Sequence, residues 1–495
     1  MGKVYLIGAG PGDEELITLK AVRKLKECTA VLYDRLVGNN ILNYVSEGCE
    51  VYYCGKEPGA HYKTQEEINK ILVKLAKEGH IVGRVKGGDP YVFGRGGEEA
   101  SELVKENIPF EVIPGITSAI AVLNYGGIPI TQRGISQSFH VITGMSASGE
   151  KVNWQAVAKE TGTLVFLMGL ENLSKIVENL VYNGKNKSTP AAIIMRGTSS
   201  KQKKVVGILE NIEVKSKRAE LKSPCIIVVG EVVNFNESLN WYESQPLFGA
   251  NICVTRSKKQ ASSIRYTLKD LGAEVTEINS IKFKSTTYNL KGYLSRLNHY
   301  NHIIFTSVNG VDFFFEYLKE QNYDIRNLKA KFSVVGKATS KALKEKGVMP
   351  LKVAEKFQAE GLFEIIKPIL KPGEKVLMPS SSKARNYLAQ EISKLSLEVD
   401  KVNIYETIVG EVKNTRAFDE TDIVLFTSPS TVRNMIELVG IEKIKEKISI
   451  AIGPITLDVL KENNIGAVLC QEHSEKGLVE KIQEVWMNFA VRANK

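Results

Sequence analysis

The sequence predicts an α/β protein in two halves, the second built from a repeated unit. Three observations carry this. Short β-branched runs alternate with amphipathic stretches along the whole chain. Strand and helix signals pause once, at Pro246-Leu247-Phe248-Gly249. After that pause the chain matches itself, segment for segment.

The elements follow in order. "KVYLIGAG" reads as a buried strand, and "ELITLKAVRKLKEC" places apolar residues at helical spacing. "HIVGRVKGGD", "TLVFLMGL", "PAAIIMRG" and "PCIIVVGEVV" read as strands that end in glycine-containing turns. "NICVTRS" opens the second half with a fresh buried strand, which sets the boundary at about 246–250. There, "IIFTSVNGVDFFFEYL" pairs with "IVLFTSPSTVRNMIEL" and aligns Phe305 with Phe426. "VVGKATSKAL" pairs with "AIGPITLDVL", aligning Gly336 with Gly453; two further pairings align Gly361 with Gly477 and Val275 with Val399. The four offsets lie between 116 and 124 residues, too long for a solenoid repeat. They predict two similar α/β lobes with a ligand cleft between them.

Composition narrows the function. With 495 residues, 43% hydrophobic and 25% charged, the chain is ordinary globular protein with material for several cores. No apolar run approaches the roughly 18 residues a membrane span requires, and no basic leader with a cleavage site opens the chain, so a cytoplasmic protein is expected. Cys28, Cys49, Cys54, Cys225, Cys253 and Cys470 form no CxxC, and the six histidines form no HxxxH. Reduced thiols and no metal site are expected. The net charge of +10 points to a basic surface or an anionic partner. The lysine run 201–204 and the cations Lys215, Lys217 and Arg218 lack interleaved aromatics, which argues against nucleic acid.

The opening "VYLIGAGPGD" looks like a dinucleotide cradle, but the pattern fails. Pro11 removes an N–H where a pyrophosphate would rest, and no Walker sequence follows. Longer strings decide the matter: "VLYDRLV", "CGKEPG", "VKGGDPYVFGRGGEE", "PGITSAIAVLNYGGIPIT", "LMGL" and "IMRGTSSKQ". On these, residues 1–245 resemble the uroporphyrinogen-III C-methyltransferases of the tetrapyrrole methylase family. The resemblance implies two α/β lobes, split near residue 114, with S-adenosylmethionine folded between them and S-adenosylhomocysteine as product. It implies cofactor contacts from Pro11, Gly87, Gly88, Asp89, Val92, Thr117, Ser118, Met168 and Gly197. It also implies Asp34 as proton acceptor and Lys56 as proton donor. Read singly, Met168 and Val92 would be core filler, and Asp34 a helix cap or a partner of Arg35. The family's methyltransferases are dimers, so self-association through this half is expected.

Residues 249–495 resemble uroporphyrinogen-III synthases, on "VTRSKKQASSIRYTLKDLGAEV", "IIFTSVNGVDFFFEYL", "VVGKATSKALKEKG", "VNIYET", "VLFTSPSTVRN" and "AIGPITLDVL". The resemblance implies cyclisation of hydroxymethylbilane to uroporphyrinogen III with inversion of the last ring and no cofactor. It implies lobes of about 249–283 plus 407–495, and 284–406. Tyr405 matches a family tyrosine that assists departure of the hydroxyl; its other reading is a packed tyrosine with a buried OH. Thr306, Ser307, Thr427, Ser428 and Thr456 are candidate binders of substrate carboxylates, and each is also placed to cap a helix. The competing reading is an RNA- or protein-modifying methylase of the same superfamily, joined to a two-lobe ligand-binding module.

Overall fold

A computed structural model describes residues 2–38, 40–55, 64–145, 152–255, 258–354, 359–410 and 416–493. The chain forms two compact units, one of Met1–Ile278 with Val412–Lys495 and one of Asn279–Glu411.

The first unit begins with a five-stranded parallel sheet. Its strands are β1 (Lys3–Gly8), β2 (Ala30–Tyr33), β3 (Glu50–Tyr53), β4 (Ile81–Lys86) and β5 (Phe110–Ile113), in the order β3-β2-β4-β1-β5. The central β1 and β4 are almost wholly buried, as continuous apolar runs in a parallel sheet require. A second sheet follows, of β6 (Phe139–Thr143), β7 (Thr163–Leu167), β8 (Pro190–Met195), β9 (Lys203–Ile208) and β10 (Cys225–Val229). Its order is β6-β7-β10-β8-β9, parallel between β6 and β7 and antiparallel elsewhere. The strands read from continuous apolar runs, β7, β8 and β10, are its interior. The edges β6 and β9 carry mixed, half-exposed sequences and gave a weaker signal.

After β11 (Asn251–Val254) and β12 (Glu274–Glu277) the chain enters the second unit. That unit holds β13 (Ile281–Ser285), β14 (His302–Phe305), β15 (Lys331–Val335), β16 (Lys352–Ala354), β17 (Lys375–Ser381) and β18 (Glu398–Val409), in the order β13-β18-β17-β14-β15-β16. Among the described residues of this unit, only β13 and β18 pair antiparallel. The chain then returns with β19 (Ile423–Phe426), β20 (Ile448–Ala451) and β21 (Ala467–Leu469), which complete a parallel sheet β12-β11-β19-β20-β21 in the first unit.

The internal repeat therefore falls once in each unit, as strand, serine cap and helix. Phe305 ends β14 and Phe426 ends β19, both fully buried. Two residues on, Ser307 caps helix Val308–Glu320 and Ser428 caps helix Pro429–Val439. Gly336 and Gly453 then stand at the N-caps of helices Lys337–Glu345 and Pro454–Glu462. Among the described residues, no helix is long and apolar enough to cross a membrane.

Candidate active sites

Three loops meet at the C-terminal ends of β1, β4 and β5. Gly10 and Gly88 exchange backbone hydrogen bonds, Gly88 N to Gly10 O at 2.6 Å and Gly10 N to Gly88 O at 3.2 Å. Both adopt left-handed conformations, with φ of 80° and 70°, that glycine adopts without strain. The approach is close enough to exclude side chains: a Cβ on Gly115 would lie 2.2 Å from Gly88 O and 2.7 Å from Gly8 Cα. Asp89 ties the loops together. Its carboxylate accepts from Gly115 N at 3.1 Å and Tyr91 N at 2.8 Å. Thr117 caps helix Ser118–Tyr125, and a Cβ on Gly88 would lie 3.8 Å from Ser118 N. The positive end of that helix thus stands beside the Gly87–Asp89 turn.

A fourth loop joins them. A Cβ on Gly197 would strike Val122 of helix Ser118–Tyr125 at 2.3 Å, so the chain there lies directly on the helix. Its neighbours Arg196 and Thr198 both have positive φ. Asp13 N donates to Thr198 Oγ1 at 3.2 Å, which closes the loop after Pro11 onto the loop at Gly197. The expected positions Pro11, Gly87, Gly88, Asp89, Thr117, Ser118 and Gly197 are thus linked by direct contacts or chain adjacency. Val92 lies exposed beyond the same turn. Met168 follows β7 with φ 54° and is 47% exposed, so it is no part of a core. Beside Asp13 opens a pocket of about 230 Å³, lined by Tyr125, Thr198, Trp241, Tyr242 and Lys269. Glu14, Glu15, Asp270 and Glu274 also border it, which makes it a poor receptacle for a ligand rich in carboxylates.

Asp34 stands one residue past β2, with its side chain 29% exposed. It does not pair with Arg35 in the way its sequence neighbourhood suggests. Arg84 NH2 reaches both its oxygens, at 2.8 and 2.9 Å. Arg84 and Lys86 lie two apart on β4, hence on one face of the sheet. Both also bind Oε1 of Glu99, from helix Gly96–Lys105, at 2.9 Å each. Arg84, Lys86 and Glu99 are buried. Burial opposes the charge on Arg84, but Glu99 and Asp34 outweigh it and raise the guanidinium pKa. Burial likewise pushes the Glu99 carboxyl up, and Arg84 with Lys86 more than reverses it. Lys86 falls below the ordinary lysine value through burial and the adjacent Arg84. These three partners were not among the residues singled out from the sequence. "GRVKGG" and "GGEE" contain them, but only the fold shows that they form one network with Asp34. Lys56 lies outside the described residues.

In the second unit, Tyr405 of β18 is buried, its ring stacked on Phe313 at 5.4 Å and edge-on to Phe283 at 5.8 Å. Its hydroxyl shares a 2.9 Å hydrogen bond with Ser307 Oγ. Burial raises its pKa, and Ser307 offsets part of the rise. Ser307 also accepts from Gly310 N at 3.0 Å. Thr306 precedes it, half-buried. In the first unit, Ser428 accepts from Thr431 N at 3.3 Å and faces Ser430 Oγ at 3.1 Å, with Thr427 half-buried before it. Thr456 differs, being 4% exposed on the inner side of helix Pro454–Glu462, whose neighbouring Ile455 is largely exposed.

Comparison with known proteins finds one family in each half of the sequence. Residues 3–213 match the family Tetrapyrrole (Corrin/Porphyrin) Methylases, and residues 262–480 match Uroporphyrinogen-III synthase HemD. The "Porphyrin biosynthesis protein HemD" of Ruminiclostridium josui is 37% identical over 494 residues, 98% of each chain. The "S-adenosyl-L-methionine-dependent uroporphyrinogen III methyltransferase" of Methanosarcina barkeri (strain Fusaro) is 48% identical over 241 residues, 48% of this chain and 94% of its own. Among solved structures, the uroporphyrin-III C-methyl transferase of Thermus thermophilus complexed with S-adenyl homocysteine is 39% identical, covers 47% of this chain and 93% of its own, and has a TM-score of 0.41. With a relative matched from end to end and a family matched in each half, the chain belongs to the tetrapyrrole-biosynthesis proteins that fuse a tetrapyrrole methylase to a uroporphyrinogen-III synthase.

Proposed function

We propose that this bifunctional enzyme cyclises hydroxymethylbilane to uroporphyrinogen III and then methylates that macrocycle twice, with S-adenosylmethionine, to precorrin-2. The observation that carries the proposal is the end-to-end match to a porphyrin biosynthesis protein, which spans both halves in order.

The first half fits its cofactor. The glycine turns bring main chain together where a side chain would collide at Gly8 and Gly115, and a helix N-terminus adjoins them. Pro11, the Gly87–Asp89 turn, Val92, Thr117, Ser118, Met168 and Gly197 would hold S-adenosylmethionine, which supplies an electrophilic methyl group when bound. The nucleophile is a pyrrole carbon of the substrate, so the protein's task is alignment and proton handling. Asp34 takes the proton released as the macrocycle's double bonds shift. Arg84 fixes the orientation of its carboxylate, and Glu99 neutralises the guanidinium behind it. Lys56 serves as proton donor.

In the synthase half, Tyr405 assists departure of the substrate hydroxyl, with Ser307 fixing the direction of the phenol. The candidate binders of substrate carboxylates are Thr306 and Ser307 in the second unit and, separately, Thr427, Ser428 and Thr456 in the first. Ring closure of this kind needs no cofactor. This reading places the enzyme in the cytoplasm, with small tetrapyrroles rather than nucleic acid or membrane as partners, and as a homodimer through its methylase half.

The test is direct. Purified protein is mixed with porphobilinogen, its deaminase and S-adenosylmethionine. An isobacteriochlorin-type absorbance is expected. Methyl label retained on RNA or protein, with no tetrapyrrole product, would overturn the proposal. Sedimentation at twice 54.8 kDa is expected for the dimer, and a purely monomeric boundary would exclude it.

A further inference from the structure

The segment after Pro11 is tethered by residues from beyond the boundary at 246–250. Lys269, on helix Lys258–Asp270, places Nζ 2.8 Å from Asp13 Oδ1, 2.8 Å from Glu14 Oε1 and 3.4 Å from Glu15 Oε2. Its side chain is 7% exposed. Burial opposes its charge, but Glu14 and Asp13 outweigh it and raise its pKa. Arg265, one turn earlier, binds Glu14 at 2.9 Å and Glu277 at 3.0 Å. On the Gly197 loop, Ser200 donates to Glu274 Oε2 of β12, from N at 2.9 Å and from Oγ at 2.8 Å.

Asp13 is the knot among these contacts. Besides meeting Lys269 it caps Glu15 N at 3.0 Å, accepts from Tyr125 OH at 2.9 Å, and donates its own N–H to Thr198. Without Lys269, Asp13, Glu14 and Glu15 would crowd together with one fewer cation, and part of that charge is buried. Breaking such a cluster from one side is strongly unfavourable. The chain just before it contains Gly8, Gly10 and Gly12, which cost more than other residues to order. Anchoring its far end lowers the ordering cost that a ligand must meet on binding.

We propose that helix Lys258–Asp270 and β12, which belong to the synthase sequence, brace the cofactor loops of the methylase, with Lys269 as a positioning residue for methyl transfer. The proposal rests on the reading that the loops at Pro11 and Gly197 hold S-adenosylmethionine. A residue of one enzyme thus sets the cofactor affinity of the other. By linkage, cofactor binding protects the bracing helix in return.

Titration calorimetry with S-adenosylhomocysteine on the full chain tests this. Lys269→Met is expected to weaken binding about 5- to 20-fold, raising KM for S-adenosylmethionine with kcat held within about twofold. Lys269→Arg retains most of the affinity. Pairing Lys269→Met with Glu14→Gln, which removes the surplus charge, recovers part of the loss. Synthase activity stays unchanged in all three and reports intact folding. Should Lys269→Met fail to fold, Ser200→Ala serves instead, with an expected loss of about 2- to 5-fold. Affinity within twofold of wild type, in a folded variant with normal synthase activity, overturns the brace. Failure of the wild-type chain to bind S-adenosylhomocysteine overturns the cofactor reading itself, so the two failures are distinct.

Discussion

The hydroxyls of Tyr405 and Ser307 stand 2.9 Å apart, joining the middle of β18 to the cap of the helix that follows β14. Each hydroxyl can donate or accept, so the bond fixes the direction of the phenol. Tyr405→Phe keeps the stacking on Phe313 and removes only the hydroxyl. We expect synthase kcat to fall about 10- to 100-fold. Methylation of supplied uroporphyrinogen III should be unchanged. Coupled and uncoupled assays on the same preparation separate the two outcomes.

Glu99 answers two buried cations, Arg84 and Lys86, at 2.9 Å each. Glu99→Gln should cost about 3 kcal/mol in the first half's unfolding transition. It should also slow methyl transfer, because Arg84 then holds Asp34 less firmly. Acid provides a second check. The cations hold the Glu99 carboxyl below its ordinary value, so the unfolded chain takes up the proton first. The stabilisation is complete above the usual glutamate value of about 4.3 and is lost as pH falls through the depressed folded value. The acid limb of a stability-versus-pH curve should be shallower in Glu99→Gln than in wild type.

Gly115→Ala puts a methyl group 2.2 Å from Gly88 O and forces the ends of β4 and β5 apart. Affinity for S-adenosylhomocysteine should fall at least about tenfold, with a lower Tm. Gly97→Ala is the control. A Cβ there meets nothing within 4 Å and sits in helix Gly96–Lys105, so it should be neutral or stabilising by up to about 1 kcal/mol. Calorimetry and thermal melts on both variants decide.

Ser428→Ala removes a cap that satisfies Thr431 N. About 1 kcal/mol of stability should be lost. If the helix starts also receive substrate carboxylates, KM for hydroxymethylbilane rises several-fold as well. A melt without a KM change would confine Ser428 to capping.

The repeat was legible because its signal is local: a buried strand, a serine and a helix start occupy consecutive residues at Ser307 and again at Ser428. The glycine turns were legible for the same reason: main chain approaches too closely for a side chain at Gly8 and Gly115, and Gly88 takes a positive φ of 70°. What could not be read was partnership across the sheet. Asp34 and Arg84 meet because β2 lies beside β4, and that register is written nowhere near either residue. Lys269 looks like any lysine on an amphipathic helix until Asp13 and Glu14 are found against it. Met168 has the composition of core filler but follows a strand with positive φ and lies 47% exposed.

Strand β11 pairs on one side with β12, a few turns of chain away, and on the other with β19, 171 residues later. A ribosome must therefore release the whole intervening unit before that sheet can close. The intervening unit has no such wait, because its first and last strands, β13 and β18, pair antiparallel with Ile281 opposite Val409. Synthesis should thus yield a finished inner body while the outer sheet is still half made, leaving the flank of β11 bare to passing chains in the meantime.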